Sequence, residues 1–312
     1  MKNFTIELNH YEFVRVSGVD TASFLQGQIS ANMDLLSTEQ SLQAALCNLK
    51  GRVIADFRVL KQGDDCLLQT FEGMAETIIQ TLSKYAVFSK VALTIDDQGT
   101  TAIGLIGEKH LGLLTTKLGK LPAQNNQQCQ AEDLSLIRID DSRFELWFHT
   151  TQARDKFLTE AVATTEQDPL NWAREDLLTG VIHISPQMSE EFTPQLLNYD
   201  ISGFVDFTKG CYTGQEVVAR MFYRGKAKKR MFLASCSHKI TKASKLALVE
   251  KEESKPGNHG EILGFINSQA DAEERNLLLA VLNISDVEAG AKLKLSDQQD
   301  SLLEILPLPY TN

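Results

Sequence analysis

The stretch FTKGCYTGQEVVAR, residues 207–220, puts a cysteine, two glycines, a lysine and a glutamate into a segment too short to build a core of its own. It stands just before the point where the texture of the chain changes. Upstream, strand-like and helix-like patterns alternate. Downstream, from about Arg230, MFLASC, KLALVE, ILGFIN, LLLAVLNI, AKLKL and LLEIL are short apolar runs at close spacing with almost no helical period, the pattern of a small all-β barrel or sandwich. The domain boundary is expected between residues 225 and 240, with 1–228 as one region of two α+β subdomains and 229–312 as the other.

The upstream region reads as strands and helices in repeated order. YEFVRVSG (11–18) is strand-like, and Asp20 is placed to N-cap a helix through ASFLQGQI. LQAALCNL (42–49) and RVIADFRVL (52–60) predict a β-hairpin across Lys50 and Gly51, and CLLQTF (66–71) a further strand after the Gly63-Asp64-Asp65 turn. GMAETIIQTLSKYA (73–86) predicts a helix and VFSKVALTID (87–96) a strand. TAIGLIG (101–107), a helix around HLGLLTTKLG (110–119), LSLIRID and FELWFHT flanking Asp141-Ser142-Arg143, and a helix from Gln152 repeat that order. Such a rhythm predicts α+β layers with antiparallel sheets. QDPLNWAREDLLTG (167–180) is the clearest helix, with Asp168 at the N-cap, Pro169 at the first helical position and Gly180 at the C-terminal cap. LPAQNNQQCQAED (121–133) is polar, weakly patterned and expected to be an exposed loop.

Composition narrows the function classes. The chain has 312 residues, 43% apolar and 23% charged, an ordinary globular balance. No apolar run is long enough for a membrane span or a secretory leader, so the expected location is the cytoplasm. Five scattered cysteines with no CxxC pair and six scattered histidines fit neither a disulfide framework nor a zinc or iron–sulfur ligand set, so no metal site is expected. GxGxxG and GxxxxGK[ST] are missing. The net charge of −10 argues against indiscriminate nucleic-acid binding. Against that balance, ARMFYRGKAKKR (219–230) places Arg220, Arg224, Lys226, Lys228, Lys229 and Arg230 in eleven residues with no acid among them, and Phe222 and Tyr223 between them. A solvated basic strand pair explains the cluster as well as an anion site does.

Local chemistry leaves two readings of Cys211. A thiolate needs a nearby cation or a helix N-terminus, and Lys209, the flanking glycines and a helix or strand beginning at QEVVAR would supply them. A buried structural cysteine in a glycine-rich turn satisfies the same residues.

FTKGCYTGQEVVAR, together with TPQLLNYD (193–200), GFVDF (203–207), GVDTASFLQGQIS (18–30), LCNLKGRVIADFRV (46–59), KYAVFSKV (84–91) and LPLPY (306–310), resembles the YgfZ branch of the aminomethyltransferase (GcvT)-like, folate-binding family. The resemblance spans most of the chain. It implies a ring of antiparallel-sheet α+β domains with a small C-terminal β-barrel, and a folate, tetrahydrofolate carrying a polyglutamyl tail, as cofactor. It further implies a role in maintaining iron–sulfur enzymes, including those that modify transfer RNA, with Cys211 as the functional thiol and Lys209 beside it. Trp172 falls where the family's folate-contacting tryptophan would lie, and Tyr11 where a second aromatic would.

Several site residues follow from what a folate asks for. Its pterin edge needs polar groups, for which Asp56, Glu175 and Asp176 are candidates; a solvated face explains each of them equally well. Its tail needs cations, for which Arg224, Lys226 and Lys228 are candidates. The glycine-cleavage T-protein carries two adjacent aspartates where this chain has Ala55-Asp56. With one carboxylate missing, acid–base work on an amine loses a partner. The expected function is accordingly a folate-binding accessory protein supporting iron–sulfur cluster assembly or repair, with no defined catalysed reaction. Its partners would be iron–sulfur proteins or their assembly machinery. The alternatives are a folate-dependent aminomethyl or methyl transferase and an RNA-binding module in direct contact with transfer RNA.

Overall fold

The structure, a computed structural model, describes residues 4–96, 99–107, 111–131, 133–160, 168–249, 259–268, 275–298 and 300–310. In chain order the elements are β1 (Phe4–Glu7), β2 (Tyr11–Ser17), α1 (Thr21–Gln26), β3 (Leu42–Cys47), β4 (Val53–Gln62), β5 (Asp65–Phe71), α2 (Ala75–Ser83) and β6 (Ala92–Ile95). There follow β7 (Thr101–Ile106), α3 (Leu111–Leu118), β8 (Gln128–Ala131), β9 (Leu134–Arg138), β10 (Arg143–Phe148), α4 (Thr151–Glu160), α5 (Leu170–Leu178) and α6 (Gln215–Arg224). The last are β11 (Lys229–Cys236), β12 (Leu246–Leu248), β13 (Gly260–Ile266), β14 (Asn276–Asn283), α7 (Ile284–Glu288), β15 (Leu293–Leu295) and β16 (Leu303–Leu306). The ends of three expected segments, His110 before α3, Gln167 before α5 and Glu250 after β12, lie outside the described residues, as does Glu132 within the segment 121–133. The fold is α+β with antiparallel sheets.

Contacts group the chain into two units. The first holds residues 1–169, 183–191 and 203–217, the second 170–182, 192–202 and 218–312, so α6 begins in one and ends in the other.

The first unit contains two five-stranded sheets, ordered β3-β4-β5-β2-β6 and β1-β7-β10-β9-β8. The alternation of apolar residues builds the second of these. Ile103 and Leu105 on β7, Leu134 and Leu136 on β9, and Phe144, Leu146 and Phe148 on β10 share one face, which packs with Leu114 of α3 and Phe157 of α4. The other face of β10 is covered as well, which leaves all six of its residues buried. There Trp147 meets Phe13 of β2 edge to face at 5.2 Å, and the buried Glu145 accepts from Trp147 Nε1 at 2.8 Å and Gln69 Nε2 at 2.9 Å. A carboxylate inside this core is tolerated because it is hydrogen-bonded.

The predicted hairpin is present, with β3 and β4 paired antiparallel and a register shift at Leu46/Cys47. Gly51, at φ +70°, makes its turn. α2 buries Ala75, Ile78 and Leu82, one stripe at helical spacing. Two local expectations are corrected. Asp20 does not cap α1; its Oδ2 accepts from the backbone N–H of Lys90 at 2.7 Å, a partner seventy residues on. The polar segment 121–133 is not all loop, because residues 128–131 form β8 on β9 and bury Cys129.

In the second unit, β13-β14-β11-β16 form a four-stranded antiparallel sheet and β12-β15 a two-stranded ladder. The run NLLLAVLN is the central β14, and seven of its eight residues are buried because both of its faces are covered. Leu278, Ala280 and Leu282 point into a core with Leu246, Leu248, Leu293 and Leu295 of the ladder. Leu279 points the other way, into a core with Leu177 of α5 and Leu308. Among the described residues the barrel-or-sandwich texture takes the form of a four-stranded and a two-stranded antiparallel sheet that share one core, with a second core on the other side of β14. α5 ends in a Schellman motif: Gly180 N–H reaches Leu177 O at 3.0 Å and Val181 N–H reaches Asp176 O at 2.8 Å, with Gly180 at φ +68°.

Candidate functional site

The segment 203–217 belongs to the first unit, and its polar side chains are tied to the segment 26–31 after α1. Lys209 is buried, and its ammonium donates to Gln26 O at 2.7 Å, Ile29 O at 2.6 Å and Ala31 O at 2.8 Å. Its three hydrogens satisfy three carbonyls at once. Burial pulls this amine down to about 8, while Asp206 and Asp34 act in the opposite direction. Asp206 Oδ1 accepts from the Thr208 N–H at 2.7 Å and the Thr208 hydroxyl at 2.6 Å, closing a turn, and Thr213 N–H donates to Gly27 O at 3.2 Å. Gly214 sits at φ +84° against the hairpin turn, where a Cβ would run into the Asn48 carbonyl. Tyr212 is buried, with the Lys209 ammonium 5.0 Å from its ring centroid.

Cys211 is exposed on this anchored loop, as are its neighbours Thr208 and Gly210. The other four cysteines are buried. Desolvation pushes Cys47 and Cys66 up to about 12 and raises Cys129 and Cys236 as well. The resemblance sets Lys209 beside the thiol; in the structure its three donors go to carbonyls, which makes it an anchor of the loop. α6 begins four residues beyond Cys211. Alkylation at neutral pH, mapped by mass spectrometry, should label Cys211 well before the rest. Cys129, expected to be exposed, should now be as slow as Cys47. Labelling of any buried cysteine at the rate of Cys211 would contradict this ordering.

A second constellation lies on the sheet of β2, β4 and β5. Asp56, on β4, is 1% exposed, and both of its oxygens are engaged. Oδ1 accepts the Ile184 N–H at 2.6 Å, and Oδ2 lies 2.7 Å from His183 Nδ1. His183 Nε2 in turn lies 3.1 Å from the hydroxyl of Tyr11. Phe71 stacks on the imidazole at 6.3 Å and 13°, Tyr11 meets it edge-on at 5.5 Å, and His10 stands 4.3 Å from the Tyr11 ring and 5.9 Å from that of Phe71. Residues 183–191 reach β4 because Ser189 Oγ donates to Ile54 O at 2.8 Å and Glu190 N–H to Val53 O at 2.8 Å. The structure therefore joins two predicted site residues, Tyr11 and Asp56, through a histidine that no sequence motif marked. Its one signal is a lone polar residue in the apolar run VIHI directly after the helix-ending Gly180.

The remaining candidates lie in the second unit. Trp172, on α5, is buried, 1% exposed, and Glu175 and Asp176 on the same helix are half-buried. Arg220, Arg224, Lys226, Lys228 and Lys229 are exposed. Arg230 is set apart from that cluster: it forms a bidentate pair with the buried Asp200, 2.8 Å at each contact, an arrangement that raises the guanidinium pKa further. Phe222 is 39% and Tyr223 66% exposed, their rings 5.1 Å apart and edge to face. Among the described residues no group of three or more His, Cys, Asp or Glu side chains could hold a metal ion, and no helix is long and apolar enough to cross a membrane.

Comparison with known proteins matches the chain to relatives. No family model matches the chain. The tRNA-modifying protein YgfZ of Photorhabdus laumondii is 31% identical over 310 residues, which covers 98% of this chain and 92% of the relative. The chain belongs to the YgfZ family. The tRNA-modifying protein YgfZ of Yersinia enterocolitica is 30% identical over 312 residues with the same coverage. Among solved structures, the glycine cleavage system aminomethyltransferase T of Bartonella henselae superposes with a TM-score of 0.73 over 99% of this chain and 86% of that one, at 13% identity. At that identity the likeness establishes the fold alone. The segment that carried the resemblance to YgfZ, residues 207–220, is the loop whose lysine and glycine anchors leave Cys211 exposed.

Proposed function

We propose that this YgfZ-family chain is a folate-binding accessory protein that supports iron–sulfur cluster assembly or repair and thereby tRNA modification, with Cys211 as its functional thiol. The observation that carries this reading is the exposure of Cys211 on a loop that the buried Lys209 anchors to three backbone carbonyls. A thiol meant only for packing would share the burial of the other four. The relatives named as tRNA-modifying proteins supply the process served. A reduced folate, when bound, supplies a one-carbon carrier. The residues present fit its pterin: the rings of His10, Tyr11 and Phe71 offer flat surface, and the Tyr11 hydroxyl, in contact with His183 Nε2, offers a polar edge. Asp56, with both oxygens engaged, serves this edge through His183. The exposed Arg224, Lys226 and Lys228 are this chain's candidates for binding glutamyl carboxylates.

The test is complementation. In cells lacking the protein, the wild-type chain should restore the activity of iron–sulfur enzymes that modify tRNA, and Cys211→Ser should fail while accumulating to the same level. Full restoration by Cys211→Ser would remove the thiol from the function. The tail assignment has its own readout. Changing Arg224, Lys226 and Lys228 to Gln should weaken polyglutamyl tetrahydrofolate more than the monoglutamyl form, because only the longer tail collects the extra charge contacts. Equal losses for both ligands would overturn it.

A further inference from the structure

His183 has no part in the sequence motifs, yet it connects a buried carboxylate to a tyrosine. Protons can be placed along this chain from the acceptor end. Asp56 already accepts from the Ile184 N–H, and an ionised carboxylate only accepts, so the hydrogen in the 2.7 Å contact belongs to His183 Nδ1. In the neutral ring Nε2 is then a lone pair, and the Tyr11 hydroxyl, 3.1 Å away, donates to it. A phenol has one hydrogen. With that hydrogen directed at Nε2, Tyr11 has only lone pairs to offer to any other group.

We propose that Asp56 and His183 are positioning residues that set Tyr11 as a hydrogen-bond acceptor, so that this ring-lined end of the sheet selects a planar heterocycle presenting an N–H donor. This rests on the folate reading above, since a reduced pterin is a member of that ligand class. The four rings supply the flat surface: Phe71 lies parallel to the imidazole, and His10 and Tyr11 close the side. The device has a defined reverse state. An imidazolium carries hydrogen on both nitrogens, so protonated His183 donates from Nε2 to the Tyr11 oxygen and turns the phenolic hydrogen outward. The site then offers a donor in place of an acceptor. Of the titratable groups, Asp56 on β4 and Tyr11 on β2 contact the imidazole directly, and His10, in the turn before β2, packs on the rings of Tyr11 and Phe71.

Two measurements test the proposal. The first is side-chain 15N NMR of the ligand-free protein at pH 8, with His183 assigned by its loss in His183→Phe. Hydrogen on Nδ1 and a bare Nε2 are expected; hydrogen on Nε2 overturns the proposal whatever the ligand. The second is a binding cycle with tetrahydrofolate at pH 8 on the wild type, Tyr11→Phe, His183→Phe and the double variant, all of which keep aromatic rings in place. Tyr11→Phe should weaken binding about tenfold, the size of one lost hydrogen bond, and the double variant should be no weaker than Tyr11→Phe alone. Losses that multiply would show that His183 acts independently of Tyr11 and overturn the proposal. A wild type that binds no tetrahydrofolate would fail the folate reading, with the NMR result still deciding the proton arrangement.

Discussion

Lys209→Met is expected to lower the stability of the first unit by about 3 kcal/mol, because it leaves three carbonyls that shared one ammonium without their donor. Methionine retains most of the stem's bulk, so the loss reports the lost donors and not a cavity. Each buried acceptor left without a partner costs on the order of 1 kcal/mol or more, and water reaching the outermost carbonyl moderates the sum. The measurement is the urea midpoint in a Trp172→Phe background, where Trp147, buried in the first unit, is the only indole. A shift worth less than about 1 kcal/mol would mean that the carbonyls find other donors. Cys211→Ser, which changes one exposed atom, should leave that midpoint in place. The pair separates loss of the loop's anchorage from loss of the thiol, a distinction that complementation alone does not make.

Arg230→Met is expected to destabilise the second unit by about 3–5 kcal/mol, since it strands a carboxylate whose side chain has no exposed surface. The figure reflects the uncompensated buried charge and not the net worth of the pair. Replacing both partners, Arg230→Met with Asp200→Leu, should therefore recover most of the loss. Amide exchange along β11 and its partner β14 reads the effect locally, because Arg230 pairs with Leu282 across that ladder. If the double variant is as unstable as Arg230→Met alone, the geometry of the pair and not its charge is what the sheet requires. The same result bears on the basic cluster: with Arg230 held by Asp200, five exposed cations and not six are offered to an anion.

Much of this was legible along the chain because the governing interactions are local. Alternating apolar residues marked β7, β9 and β10. The Lys50-Gly51 turn marked the β3–β4 hairpin, and Gly180 marked the end of α5, where a left-handed residue closes the Schellman motif. The change of texture near Arg230 announced the C-terminal sheets. Where the reading missed, a distant partner had taken over a residue. Asp20 had the right neighbours to cap α1 but bonds Lys90, and the polar surroundings of Cys129 concealed that β8 joins a sheet edge.

The types of the elements, the α+β class with antiparallel sheets, and the unusual composition of residues 207–220 were readable along the chain, because periodicity and turn chemistry act over a few residues. What each polar side chain does was set by packing. Lys209, two residues from Cys211 in the chain, turns to carbonyls nearly two hundred residues away; Asp56 reaches a histidine on a segment 127 positions later; Arg230 leaves its basic neighbours for Asp200. The reason is common to all three. A charged or polar group carried into the interior must find hydrogen-bond partners there, and which partners stand within 3 Å is set by how the sheets and loops pack, not by what lies beside the residue in the chain.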